Sequence, residues 1–166
     1  MAGSDRELEV KFYLGDLPGL KRRLEELDAV IEAPRVLEVN LRFDTPDGRM
    51  MQARQVLRLR KDAAARVTYK GPANVAEGVT SRVELEVTVS DFETAQKLLE
   101  AVGFRVVVIY EKYRLTYRLG GVLVTLDEMP YGDFAEIEGP DPDSIRQAAE
   151  RLGLNWETRI FESYLA

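Results

Sequence analysis

Glutamate, lysine and arginine stand at every second position in one segment after another of this 166-residue chain, while histidine and cysteine are absent. The two absences exclude much chemistry: no imidazole base, no Ser-His-Asp triad, no thiolate nucleophile, no disulfide, no Cys- or His-ligated metal. Carboxylate and cation chemistry remains. RELEVKFYL sets Glu7, Glu9 and Lys11 on one side of a period-two pattern and Leu8, Val10 and Phe12 on the other. QVLRLRK does the same with Arg58 and Arg60, RVTYKG with Lys70 beside Thr68, and SRVELEVTV with Arg82, Glu84, Glu86 and Thr88. EKYRLTYR offers Lys112, Arg114, Thr116 and Arg118; VLVTLDE offers Leu123, Thr125 and Asp127; FAEIEG offers Glu136 and Glu138.

The elements that must position these residues follow from the same periodicities. With LEVNLRFD near 37–44, the alternating segments make about eight strands, antiparallel by their short connections, and Gly120-Gly121 marks a hairpin. Three helices flank them. Asp16 is expected to cap the first, with Leu17, Leu20, Leu24, Leu27 and Ile31 on its apolar face. Ser90 and Glu93 form a capping-box pattern for the second, whose stripe is Phe92, Ala95, Leu98, Leu99 and Val102 up to Gly103. The third runs from about Asp143 to Gly153, and a short helical piece is expected after Glu157. The fold class is therefore mainly β (α+β): a β core with flanking helices. Length, the lack of a linker and the lack of repeats give one domain over residues 1–166.

An ionic face is ordinarily the solvated side of an amphipathic strand, but solvated faces mix Thr, Ser and Gln with their charges. These repeat Arg, Lys and Glu. Closing the sheet into a barrel would turn the faces into a common lumen. Buried charge is costly unless paired or ion-bound, so such an interior would serve ligand chemistry. Seven acids (Glu7, Glu9, Glu84, Glu86, Asp127, Glu136, Glu138) balance seven bases (Lys11, Arg58, Arg60, Lys70, Arg82, Lys112, Arg114). Two divalent cations on the acids would leave the lumen positive, suited to a compact polyanion such as a triphosphate.

These motifs resemble a known family. Glu7-x-Glu9-x-Lys11 resembles the ExExK signature of the CYTH domain, or triphosphate tunnel metalloenzymes; LRLR, YKGP, RVELE, EKYR, LDEMP and FAEIEG follow in family order, from Glu7 to about Gly139. The resemblance implies an eight-stranded antiparallel closed barrel, or tunnel, with a charged lumen. It implies that Glu9 and Glu136 hold Mg²⁺ or Mn²⁺, in all two divalent cations, with Glu7, Glu138 and Asp127 close by. Lys11, Arg58, Arg60, Lys70, Lys112 and Arg114 would grip the substrate, and Lys112 would act catalytically as well. Glu84 and Glu86 match carboxylates that either hold a second cation or orient the attacking water. Arg82 and Arg118 are expected to pair with glutamates.

The leading expectation is metal-dependent hydrolysis of a triphosphate, most simply inorganic tripolyphosphate. Phosphoryl transfer demands positioning and charge stabilisation, which these residues supply without a covalent nucleophile. The alternative is a class IV adenylyl cyclase making cyclic AMP and pyrophosphate from ATP. Against it, family cyclases carry a His-Phe pair before ExExK, and no purine pocket is evident in this sequence. A noncatalytic polyphosphate-binding barrel is the third reading, disfavoured because a pure anion binder gains nothing from seven acids. The expected partner is a small triphosphate. A net charge of −6 argues against nucleic-acid polymer, and the lack of a long apolar run or basic, apolar leader gives the expectation of a cytoplasmic protein with no membrane contact. Trp156 is expected to cover the barrel beside Phe161, Lys21, Arg22 and Arg23 to form a solvated face, Gly71-Pro72 a turn, and 44–48 a plain loop.

Overall fold

The computed structural model describes residues 5–163 and 165. Among the described residues there are nine strands: β1 (Arg6–Leu14), β2 (Val30–Asp44), β3 (Val56–Lys61), β4 (Ala65–Lys70), β5 (Asn74–Ala76), β6 (Val79–Val89), β7 (Arg105–Leu119), β8 (Val122–Met129) and β9 (Gly132–Glu138). The helices are α1 (Leu17–Glu26), α2 (Arg49–Gln52), α3 (Phe92–Ala101) and α4 (Pro142–Arg151), followed by a 3₁₀ turn at Trp156–Thr158. The ladder runs β1-β9-β8-β7-β2-β3-β4-β6, and β1 also pairs with β6, so the hydrogen bonding returns to its start. This is an eight-stranded antiparallel closed β-barrel with flanking helices. The three-residue β5 hangs from β6 as a ninth strand.

The chain divides into two compact units. The first holds residues 36–74 and 82–112 with the described residues before Glu7; the second holds 7–35, 75–81 and the described residues from 113 onward. In the first, Leu41, Phe43 and Leu59 are buried beneath Phe92, Ala95 and Leu99 of α3. In the second, Val10 and Phe12 of β1, Val124 and Leu126 of β8 and Ile137 of β9 meet Leu20 and Leu24 of α1 and Ile145 and Ala149 of α4. Each large side chain buried there contributes roughly 1.5–3 kcal/mol.

Local chemistry explains most boundaries and several departures from expectation. Asp16 caps α1, accepting from the Gly19 amide at 2.9 Å. Ile31 is not on that helix; it lies in β2 and is exposed, because α1 has already ended at Glu26. The cap of α3 is Asp91 and not Ser90: its carboxylate accepts from Thr94 N–H at 2.7 Å, one residue later than the capping-box pattern implies. Leu98 and Val102 are exposed, since the packed face follows Phe92, Ala95 and Leu99. Asp141 caps α4 through Ser144 N–H at 2.7 Å, and Gly153 takes the positive φ of 71° just beyond its end. The piece expected after Glu157 is a 3₁₀ turn that begins at Trp156.

Residues 44–48 are more than a loop. The buried Asp44 carboxylate accepts from the backbone N–H groups of Thr45 at 2.7 Å, Met50 at 2.8 Å and Met51 at 3.1 Å, and so anchors α2. Burial opposes its charge, but these donors prevail and hold its pKa below the ordinary carboxylate range. Trp156 lies near Phe12 at a ring separation of 6.5 Å, with the Arg159 guanidinium 4.2 Å over its face, which agrees with a covering role. Arg118 pairs with Glu32 at 2.9 Å, as its parity suggests. Among the described residues, no helix is long and apolar enough to cross a membrane.

Candidate active site

Cross-strand register decides which side chains share a face, because directly opposed residues project to the same side. In the second unit, Glu9 opposes Glu138 and Lys11 opposes Glu136 across β1 and β9; Arg114 opposes Asp127 across β7 and β8; Thr125 of β8 opposes Glu136. These residues form one ionic face. Arg114 grips the fully buried Asp127 through two bonds, Nε to Oδ1 at 2.7 Å and Nη2 to Oδ2 at 2.6 Å, and its Nη2 also reaches Glu136 Oε2 at 3.1 Å. Lys11 Nζ lies 3.5 Å from Glu136 Oε1. The backbone of Lys11 is bridged by Ile160, whose N–H donates to Lys11 O at 2.8 Å, and Lys11 Nζ donates to Glu162 O at 3.5 Å. Glu9 is buried, Glu7 is half-buried and Glu138 is exposed at the end of its strand.

The first unit holds a different population. Lys70 opposes Val56 on one side and Glu84 on the other, and its Nζ is 3.0 Å from Glu84 Oε2. Glu86 accepts from Thr68 Oγ1 at 2.8 Å and lies within 3.7 Å of Arg60 and 3.8 Å of Arg66. Arg60 also meets Glu38 at 3.6 Å, and Glu38 meets Lys112 at 3.9 Å. Lys70, Thr68, Glu38 and Lys112 are buried; Arg58, Arg60, Arg82 and Glu84 are half-buried and Glu86 is exposed. A face with these burials is not a solvated strand face.

The expected site residues thus fall into two groups. Glu7, Glu9, Lys11, Arg114, Asp127, Glu136 and Glu138 belong to one unit, and Arg58, Arg60, Lys70, Arg82, Glu84, Glu86 and Lys112 to the other. Five of the seven acids sit in the first group and five of the seven bases in the second. Among the described residues, no three carboxylates are gathered closely enough to form a ready cation site. Asp127 and Glu136 are instead engaged by Arg114, and Glu136 by Lys11 as well.

Sequence reasoning overlooked three residues on β2. Glu38, Asn40 and Arg42 share the ionic face of the first unit, with Asn40 opposite Arg60 and Arg42 opposite Arg58. Asn40 is fully buried and, among the described residues, neither end of its amide has a hydrogen-bond partner. The signal was present in LEVNLRFD, whose even positions carry the same polar alternation as the other strands.

Fold, register and the buried charges agree with one sequence family, the CYTH domain, whose profile matches residues 5–162. The chain belongs to the CYTH domain family. Among curated CYTH relatives, adenylate cyclase CyaB of Aeromonas hydrophila is 28% identical over 173 residues, covering 95% of this chain and 87% of that protein. A Methanocaldococcus jannaschii protein with a provisional adenylate cyclase name is 27% identical over 170 residues, covering 96% of both chains. Of solved structures, the PH1012 protein of Pyrococcus horikoshii superposes with a TM-score of 0.80 at 30% identity, over 96% of this chain and 97% of that one.

Proposed function

We propose that this CYTH protein is a divalent-metal-dependent enzyme acting on a triphosphate, and that its reaction is the conversion of ATP to cyclic AMP and pyrophosphate. The observation that supports triphosphate chemistry is the set of withdrawn cations in the first unit, Lys70 and Lys112 buried with Arg58 and Arg60 half-buried beside them. Cations kept from water in this number suit phosphate oxygens, arginine as a two-pronged donor and lysine as a point charge. The curated relatives support the cyclase over the hydrolase that the sequence suggested first, since both bear adenylate cyclase names across nearly the whole chain.

The oxygen donors of the second unit are of the kind that Mg²⁺ or Mn²⁺ takes, although among the described residues they are not drawn together around one point. Glu9 and Glu138 oppose one another directly, and two carboxylates so placed repel unless a cation lies between or near them. Glu9, Glu136 and Glu138 would hold it, with Glu7 and Asp127 nearby. The cation supplies charge neutralisation of phosphate oxygens when bound. The chain's own groups do the rest: Arg58, Arg60, Lys70 and Lys112 orient the phosphates and stabilise the charge that develops on them. The ribose 3′ oxygen attacks the α-phosphorus, the bond from that phosphorus to the bridging oxygen breaks, and pyrophosphate departs with the electron pair. Glu84 or Glu86 accepts the 3′ proton. Residues 1–166 act as a single domain in this proposal.

The absence of histidine favours a second reading, in which water replaces the ribose hydroxyl and a terminal phosphate is released. One experiment separates them: purified protein with ATP, inorganic tripolyphosphate or thiamine triphosphate, in Mg²⁺, Mn²⁺ or chelator, assayed for cyclic AMP, pyrophosphate and orthophosphate. Equal yields of cyclic AMP and pyrophosphate support the cyclase. Orthophosphate without cyclic nucleotide supports the hydrolase. Tight binding with no product would make the chain a noncatalytic barrel, and undiminished turnover in chelator would refute the metal.

A further inference from the structure

Arg42 is a half-buried cation on the ionic face of the first unit that the proposed mechanism does not use. It stands on β2 directly opposite Arg58 of β3, so two guanidinium groups occupy a position where like charges repel. Arg42 is half-buried, and among the described residues it makes no ion pair and no hydrogen bond. Asp44, two positions further along β2, is committed to the backbone donors of Thr45, Met50 and Met51. The groups that face Arg42 are Arg58 and Arg82, which oppose its charge, and Tyr110 and Asp44, which favour it; burial and the two arginines prevail and lower its pKa from the ordinary arginine value. Withdrawn, crowded by like charge and without a carboxylate of its own, this guanidinium costs stability in the free protein. An oxyanion between Arg42 and Arg58 would turn the repulsion into charge-assisted hydrogen bonds from both.

We propose that Arg42 and Arg58 form a two-guanidinium clamp for one phosphate group of the ligand, making Arg42 a substrate-binding residue in addition to those expected from the sequence. The proposal rests on the triphosphate reading given above for its ligand. Lysine cannot reproduce the fork of donors, so the clamp should be specific to arginine at position 42.

The test is calorimetric titration of the full chain and of its Arg42→Gln and Arg42→Lys variants with tripolyphosphate, pyrophosphate and orthophosphate, each with Mg²⁺, together with thermal melts without ligand. The expected results are a roughly 10- to 100-fold loss of tripolyphosphate affinity in Arg42→Gln, a smaller loss in Arg42→Lys, and a melting temperature in Arg42→Gln equal to or above the parent's. A purely structural arginine would lower the melting temperature and leave affinity unchanged, and that pattern overturns the clamp while the triphosphate reading stands. If the parent binds pyrophosphate or orthophosphate in an Arg42-dependent way but not tripolyphosphate, the clamp stands and the triphosphate reading falls. Binding of none of the three overturns both. If Arg42→Gln fails to fold, Arg42→Lys decides: affinity equal to the parent's overturns the clamp.

Discussion

Replacing Arg114 by methionine probes the two-bond ion pair that it makes with the buried Asp127. Asp127 is 0% exposed and receives two bonds from one guanidinium, at 2.6 and 2.7 Å. Arg114→Met would remove that two-bond cation from a buried carboxylate, and loss of one member of a buried pair typically costs about 3–5 kcal/mol. For a chain of this size each kcal/mol moves the melting temperature by roughly 2–4 °C, so a fall of about 6–20 °C is expected. In an Asp127→Asn background the same Arg114→Met change should cost far less, because the neutral amide does not need the charge. Thermal melts of the four proteins at pH 7 complete the cycle. A melting temperature for Arg114→Met within about 2 °C of the parent, or an equal loss in the Asn background, would refute the argument that Arg114 neutralises Asp127.

Glu136→Gln keeps the shape of a side chain that meets Lys11 and Arg114 while removing its charge, so turnover at ordinary Mg²⁺ should vanish with the fold intact; product assays over a Mg²⁺ titration would show near-normal rates if the metal role is wrong. Lys112→Ala, at a site 3% exposed, should lower kcat/KM about 10- to 100-fold through lost phosphate stabilisation while metal affinity changes less, read by kinetics beside metal titration. Asp44→Asn should cost about 1 kcal/mol at neutral pH by weakening three bonds to backbone donors. Because the pKa of Asp44 is depressed in the fold, its stabilisation is present above the unfolded value of about 3.9 and is lost as pH falls through the lower folded value, so the variant's denaturation midpoints should converge on the parent's in acid.

Period-two alternation of charge marked the eight barrel strands and their ionic faces, though not the three-residue β5, because a strand exposes its register directly in sequence. The same rule would have found Glu38, Asn40 and Arg42 had the polar positions of β2 been read like those of β1. What alternation cannot carry is the order in which strands pair. The grouping of Glu9 with Glu138, and of Lys70 with Glu84, depends on the ladder and not on any local pattern. Leu98 and Val102 show a related limit: they continue a helical stripe, but α3 is too short, and its packed face too narrow, to bury them. Asp44 was legible only as a turn residue, since the amides it holds lie up to seven positions away.

The bridge between Ile160 and Lys11 ties a residue of the ExExK motif to a segment about 150 positions later, through Ile160 N–H to Lys11 O and Lys11 Nζ to Glu162 O. Its consequence is practical. A proteolytic nick, a deletion or a bulky fusion reaching 160–162 would release Lys11 from one side without touching any charged residue of the barrel strands, and under the proposed function this would alter the ionic face that Lys11 shares with Glu136. Preparations of this protein that differ only in how residues 160–162 are processed or extended can therefore differ in measured activity, and a comparison of variants is sound only when that segment is identical in all of them.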